Sequence, residues 1–349
     1  QEASRGRGHL TVIRVGLDAM GGDHAPATEV EGALAAIRDL PPGFTIQLVG
    51  QPAVIEAELA RHPGADRDRL TIVPASQVIG PGEKPLAAIR QKRDSSIAVG
   101  LGLVAKGGSD AFVSAGNTGA MLAGSTVMLG LHHGVDRATV GAMLPTAAGP
   151  VLLLDAGANL DCSPRELECF AALGTVYMRD VQQRANPTVG LLNVGEEDEK
   201  GGEVIRAAHG LLRANAHRLN FIGNIEGRDI LAGHARHGRV DVIVCDGFVG
   251  NVVLKFYESV LHLVMHLAQE GAPDMWERKE IRGAFRMLDY SQYGGSPLLG
   301  VKGISIICHG ASNTNAIKNA IRVAVQSVES GLTHHIAAEF ATEPTVERA

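Results

Sequence analysis

The sequence predicts an α/β protein built around a mostly parallel sheet. Short β-branched runs alternate with longer helical patterns nearly from end to end, the signature of repeated βαβ units. Most strand-to-helix joins are short and rich in Gly, Pro and Asn, the chemistry that tight turns require. No repeat with a period of about 20 to 50 residues and no low-complexity linker divides the 349-residue chain, which excludes a solenoid or loosely tethered modules.

Strands are expected near 11–17, 45–49, 70–74, 110–114, 138–143, 151–155, 188–192, 219–222, 240–245 and 303–307. Helices are expected near 26–38, 51–61, 95–106, 117–130, 164–182, 201–214, 248–269, 278–288 and 312–329. Residues 1–10 read as a disordered arm or cloning remnant, 11–335 as one α/β unit of two packed lobes divided near 135–150, and 336–349 as a flexible tail.

Hydrophobic residues make up 45% of the chain, enough for a large core. Aromatic residues are 4% while glycines number 43, which suits tight turns around small ligands better than base-stacking platforms. A net charge of -6 gives no global attraction to nucleic acid or anionic membrane, so anion recognition must be local. One basic cluster, Arg90, Lys92 and Arg93 near Lys84, supplies local charge. The four cysteines lack Cys-x-x-Cys spacing and fit a reducing, cytoplasmic setting. No uninterrupted run of about 18 apolar residues and no apolar signal core is visible.

In an open parallel sheet, ligands collect where strand C-termini meet helix N-termini. The turn Ser114-Ala115-Gly116-Asn117-Thr118-Gly119-Ala120 falls at such a join and combines glycine with hydrogen-bonding side chains at a helix start. It reads as a phosphate cradle; as structure alone it is a capped glycine turn. Asp18-Ala19-Met20-Gly21-Gly22-Asp23-His24-Ala25-Pro26 is the same kind of join, and Pro26 suits a helix start. Four further turns repeat the pattern: Asp155 to Asn159, Gly223 to Asp229 with Asn224, Asp246 to Asn251, and His309 to Asn313. Each is ordinary alone, and together they predict one convergent polar pocket.

Other chemistries fail on local context. Gly100 to Ala105 matches Gly-x-Gly-x-x-Ala but lies inside a helical pattern, so packing replaces a dinucleotide fingerprint. Gly295 to Gly300 lacks the following Lys-Ser or Lys-Thr of a P-loop, and no Gly-x-Ser-x-Gly elbow occurs. His262 and His266 share a helical face without an intervening carboxylate, and His234 and His237 fare no better, so no metal is expected. Cys308 beside His309 reads as a small core residue rather than a nucleophile.

Taken together, Leu17 to Pro26, Ser114 to Ala120, Leu191-Leu192-Asn193-Val194-Gly195 and Asn220 to Asn224 resemble the bacterial phosphate acyltransferase family. The similarity continues through Asp94-Ser95-Ser96, Gly134 to Arg137, Asp246 to Asn251 and Tyr290 to Gly295, and covers roughly residues 13–330. The resemblance implies a three-layer α/β/α sandwich of the phosphate acetyltransferase and isocitrate/isopropylmalate dehydrogenase type. It implies conversion of long-chain acyl-acyl-carrier-protein and inorganic phosphate to acyl phosphate, with no cofactor. It further implies a homodimer, a functional link to a membrane glycerol-3-phosphate acyltransferase, and peripheral membrane contact.

On this resemblance Ser114, Asn117, Asn224 and His309 are the expected catalytic residues. Asp18, Gly116, Thr118, Gly119, Asp155, Asn159, Asp246, Asn251, Ser312 and Asn313 are expected to bind substrate, and Lys84, Arg90, Lys92 and Arg93 to dock the carrier. Phosphate is itself a nucleophile, so the protein need only align it and stabilise the oxyanion. Between about Leu267 and Leu288 the chain departs from the family pattern, being shorter and less lysine-rich. Trp276, Ile281, Phe285 and Leu288 among Arg278, Lys279 and Arg282 fit either an interfacial helix or a dimer-packing helix. The rivals are a coenzyme A-dependent phosphate acetyltransferase, a dehydrogenase of the related fold, and a non-catalytic carrier-binding scaffold.

Overall fold

A computed structural model describes residues 12–271, 273–288 and 290–341; the expected arm at 1–10 and the stretch 342–349 lie outside the described residues. In chain order the strands are β1 (Ile13–Asp18), β2 (Phe44–Gly50), β3 (Leu70–Pro74), β4 (Ala111–Ser114), β5 (Thr139–Val140), β6 (Ala142–Leu144) and β7 (Val151–Leu154). They continue as β8 (Val189–Leu192), β9 (Phe221–Ile225), β10 (His234–Ala235), β11 (Gly238–Arg239), β12 (Val242–Val244), β13 (Ser296–Leu299) and β14 (Ile304–Ile307).

Two main sheets result, ordered β3-β2-β1-β4-β14-β13-β5 and β6-β7-β12-β8-β9, with β10 and β11 forming a small hairpin. Within the first, β1 to β4 and β14 are parallel, while β13 runs antiparallel to both β14 and β5. In the second, β6 is antiparallel to β7 and the rest are parallel. The central strands are buried on both faces, as in Leu17, Leu48 and Val113 or Leu152, Leu154 and Val244, because helices cover both sides. The fold is a three-layer α/β/α sandwich, as expected.

The chain changes sheet at Gly141, between β5 and β6. Hydrogen bonds from Ala156 N to Val140 O (2.8 Å) and from Asp155 N to Cys245 O (2.9 Å) join the C-terminal ends of β5, β7 and β12. The two C-terminal sheet edges therefore meet, and the turns that contain Thr118, Asn251 and His309 open onto that junction.

Several expectations need correction. Ser296–Leu299 is a strand that sequence reading leaves out, because Pro297 lacks the N–H that a central strand donates. Its place next to the short antiparallel β5 near the sheet edge accommodates the proline. Residues 336–341, expected in the tail, belong to the Leu332–Ala341 helix, anchored by buried Ile336 and Phe340. The Gly247–Gly271 helix is long and apolar enough, by length and composition, to cross a membrane. Tyr257 and Leu261 on it are nevertheless packed against the second sheet, and Lys255 pairs with Glu258 at 2.9 Å. Phe248, Val252, Phe256, Leu263 and Leu267 form an exposed apolar stripe on this helix.

Candidate active site

A cleft of about 750 Å³ opens where the two sheet edges meet. Thr118, Asn251, His309, Ser312 and Asn313 line it, so five expected site residues from three separate turns converge there. Val140, Ala142, Met143, Leu254, Leu261 and Met265 add apolar lining, with Lys255, Glu258 and His262 beside them on the long helix, and Trp276 and Phe285 complete it. Arg282 also lines the cleft, and its Nε and Nη2 each donate at 3.1 Å, to the carbonyls of Trp276 and Glu277. Trp276 and Phe285 thus both contribute to the lining of the cleft.

Two helices point their N-termini at this region. Asn117 and Asn313 occupy the N-cap positions of the Thr118–Met128 and Thr314–Glu329 helices, each side-chain oxygen accepting a backbone N–H at 2.9 Å. Capping satisfies one of the orphan first-turn donors of each helix, and the remaining partial positive charge favours an anion. His309 adds a directional donor. Its Nδ1 accepts the Ala311 N–H at 3.1 Å, so the neutral ring carries its proton on Nε2.

Ser114 and Asp18 are placed differently from the expectation of direct substrate contact. Both are buried, and Ser114 Oγ donates to Asp18 Oδ2 at 2.7 Å while accepting the Gly116 N–H at 3.0 Å. Asp18 also accepts from Met20 N at 3.1 Å within its own turn, so the Ser114–Asp18 bond ties the β1 and β4 turns together. Burial pushes the Asp18 carboxyl upward, opposed by hydrogen bonds from Ser114 and Ser96 and from the Met20 and Gly21 backbone. A Cβ on Gly21 would lie 2.6 Å from Gly116 N. These glycines therefore allow two turns to press together, where sequence reading assigned Gly116 to close approach by a ligand.

Beneath the same turns lies Glu29, 1% exposed, which sequence reading missed because an acid in a first helical turn looks like routine capping. Its Oε2 has no hydrogen-bond partner among the described residues. Burial, with Asp18 and Asp23 nearby, pushes its carboxyl up to about 8. Gly22, at φ +102°, leaves room for it, since a Cβ there would meet Glu29 Oε1 at 2.5 Å.

The remaining expected residues divide into groups that organise turns and groups that face the cleft. Asp155 is fully buried and accepts hydrogen bonds from the backbone of Gly157, Ala158 and Asn159 and from the Asn159 side chain. Asn159 Nδ2 also donates to Ala138 O at 2.8 Å, and Asp246 Oδ1 accepts from Val249 N at 2.8 Å at the start of the long helix. Gly119 packs on Pro85. Asn224 is not brought to the cleft. It sits on edge strand β9, with β12 and β8 between it and β7, and its Nδ2 donates to Glu197 O at 2.8 Å. In the basic cluster Lys84, Arg90 and Arg93 are exposed, but Lys92 pairs with Glu83 at 2.7 Å and donates to Val78 O at 2.8 Å. Lys92 is a loop tie. Cys308 is buried and its thiol is pushed up to about 12 by burial, which removes it as a nucleophile at neutral pH.

Residues 13–335 match the fatty acid synthesis protein family. The chain belongs to that family. Curated relatives include the phosphate acyltransferase of Heliobacterium modesticaldum, 49% identical over 91% of this chain and 94% of that protein. Another is the phosphate acyltransferase of Nostoc punctiforme, 44% identical over 95% of this chain and 98% of that protein. With such relatives matched along nearly its whole length, the chain is a phosphate acyltransferase of fatty acid synthesis. Among solved structures it resembles a phosphotransacetylase from Streptococcus pyogenes, with TM-score 0.62 and 16% identity over 91% of this chain and 94% of that one. The EutD phosphotransacetylase from Staphylococcus aureus gives TM-score 0.58 at 14% identity over 91% and 94%. Those likenesses concern the fold.

Proposed function

We propose that the enzyme transfers a long acyl group from acyl-acyl-carrier-protein to inorganic phosphate, forming acyl phosphate for phospholipid synthesis and releasing the carrier. The observation that supports this reading is the mixed lining of the cleft, where helix N-termini and His309 share one space with a group of apolar side chains. Such a space seats a dianion beside a thioester while burying a hydrocarbon chain.

A phosphate oxygen attacks the thioester carbonyl carbon and forms the new C–O bond. The carbonyl oxygen becomes an oxyanion, and collapse of the tetrahedral species breaks the C–S bond. The departing thiolate takes up a proton on release. We assign phosphate to the helix N-termini, with Thr118, Ser312 and the Asn313 NH2 group as further donors. His309 Nε2–H is assigned to the oxyanion, where a fixed donor contributes most in a water-poor site. Ser114, Asp18 and Asn117 hold the turns that carry these groups.

Lys84, Arg90 and Arg93 are the surface we assign to the acidic carrier, whose presence sets the reaction in the cytoplasm. The exposed stripe from Phe248 to Leu267 is assigned to a homodimer contact that leaves the enzyme free to work beside a membrane glycerol-3-phosphate acyltransferase. Exchange of donors tests the reading. Long-chain acyl-carrier-protein should be consumed with a far higher kcat/KM than acetyl-coenzyme A, and the reverse order would establish the phosphate acetyltransferase alternative.

A further inference from the structure

The cleft follows one face of the Gly247–Gly271 helix, because Asn251, Leu254, Glu258, Leu261 and Met265 all line it at steps of three and four residues. At a rise of 1.5 Å per residue, Asn251 and Met265 stand about 21 Å apart along the helix axis. The two ends differ in chemistry. Asn251 lies at the sheet edge, over Gly157. Leu261 belongs instead to a buried apolar cluster against which Met265 and Phe285 pack, with His262 and Arg282 also lining the cleft there. Trp276 abuts Phe285, with ring centroids 5.0 Å apart and planes at 60°.

We propose that the Met265 end of this cleft is the acyl-chain subsite and that the Trp276–Phe285 pair is its terminal wall, setting the longest chain that fits. The inference rests on the acyl-donor reading above and extends it to particular residues. With the thioester carbon at the sheet edge, the hydrocarbon is assigned the strip of Leu254, Leu261 and Met265, while Lys255, Glu258 and His262 on the same helix line the cleft beside it. The wall is held in place: Arg282 hydrogen-bonds the carbonyls of Trp276 and Glu277, and Tyr257 Oη donates to Leu288 O at 2.5 Å, fastening the end of the capping helix to the long one. Each methylene drawn into such surroundings strengthens binding about fourfold. Once the terminal methyl meets the two rings, a further methylene must displace them or stay in water, and the gain ends.

The chain contains a single tryptophan, so its emission reports this wall alone. Palmitate brominated next to the methyl end, and palmitate brominated next to the carboxylate, would be titrated into the full chain below their micelle concentrations. The methyl-terminal bromine is expected to quench Trp276 strongly and the carboxyl-proximal bromine weakly. Equal quenching by both, or none, overturns the proposal. As a second measurement, Phe285→Ala should move the optimum of kcat/KM toward longer acyl donors, whereas equal scaling for every chain length counts against a wall. Position-dependent quenching without any phosphate-dependent turnover would sink the functional reading and leave the subsite standing. Turnover with position-independent quenching would do the reverse.

Discussion

Ser114 Oγ and Asp18 Oδ2, 96 positions apart in sequence, are joined by a buried 2.7 Å hydrogen bond that couples the ends of β1 and β4. The bond makes the most conspicuous glycine turn of the sequence a scaffold for the cleft wall rather than the wall itself. Thr118, at the start of the next helix, is the residue of that turn that reaches the cleft.

Ser114→Ala should therefore act first on stability. It removes one donor from a buried carboxylate and one acceptor from Gly116 N, a loss of about 1–3 kcal/mol. Urea denaturation of the purified variant measures it. An unchanged midpoint with activity abolished would return Ser114 to the chemistry.

Glu29 makes stability depend on pH in a defined direction. Its carboxyl keeps its proton up to about pH 8 in the folded chain but ionises near 4.5 once unfolded. The native state thus binds more protons between those values, and stability contributed by this group is present below about 4.5 and falls as pH rises toward 8. The slope is at most about 1.4 kcal/mol per pH unit. Glu29→Gln should flatten it, and denaturation at a series of pH values tests this.

Both ends of the Asn117 carboxamide are engaged: Oδ1 caps Ala120 N and Nδ2 donates to Gly80 O at 2.9 Å. Asn117→Ala is expected to cost about 1–2 kcal/mol from the lost cap and to lower kcat through the loosened loop. A fall in kcat beyond about a hundredfold, with the denaturation midpoint unchanged, would instead indicate transition-state contact.

The elements legible in the sequence were those with a single strong local signal. β4 and β7 are short runs buried along their whole length, and the helices after them begin at the side-chain caps Asn117 and Ser163. Two kinds of feature were hidden. β13 contains Pro297, which argues locally against a strand and is tolerated only because of where β13 lies. Glu29 was missed, and the place of Asn224 outside the cleft was not foreseen, because their surroundings come from distant segments: Gly22 and Asp18 for one, the Glu197 carbonyl for the other. The cap carrying Trp276 and Phe285 was recognised as amphipathic, but which surface its apolar face meets is a tertiary fact that periodicity does not contain.

Reversing the exposed charges Arg90 and Arg93 to Glu should raise KM for acyl-carrier-protein about tenfold or more at low salt, leaving kcat and the KM for phosphate nearly unchanged. The effect should shrink as salt is added. An unaltered KM would remove this face from carrier docking.

The most direct test follows the free carrier thiol released from long-chain acyl-acyl-carrier-protein as inorganic phosphate is varied. The account predicts release that saturates with phosphate, matches acyl phosphate formed one for one, and falls sharply in His309→Ala. Thiol release independent of phosphate, or carrier binding with no release at any phosphate concentration, would contradict it.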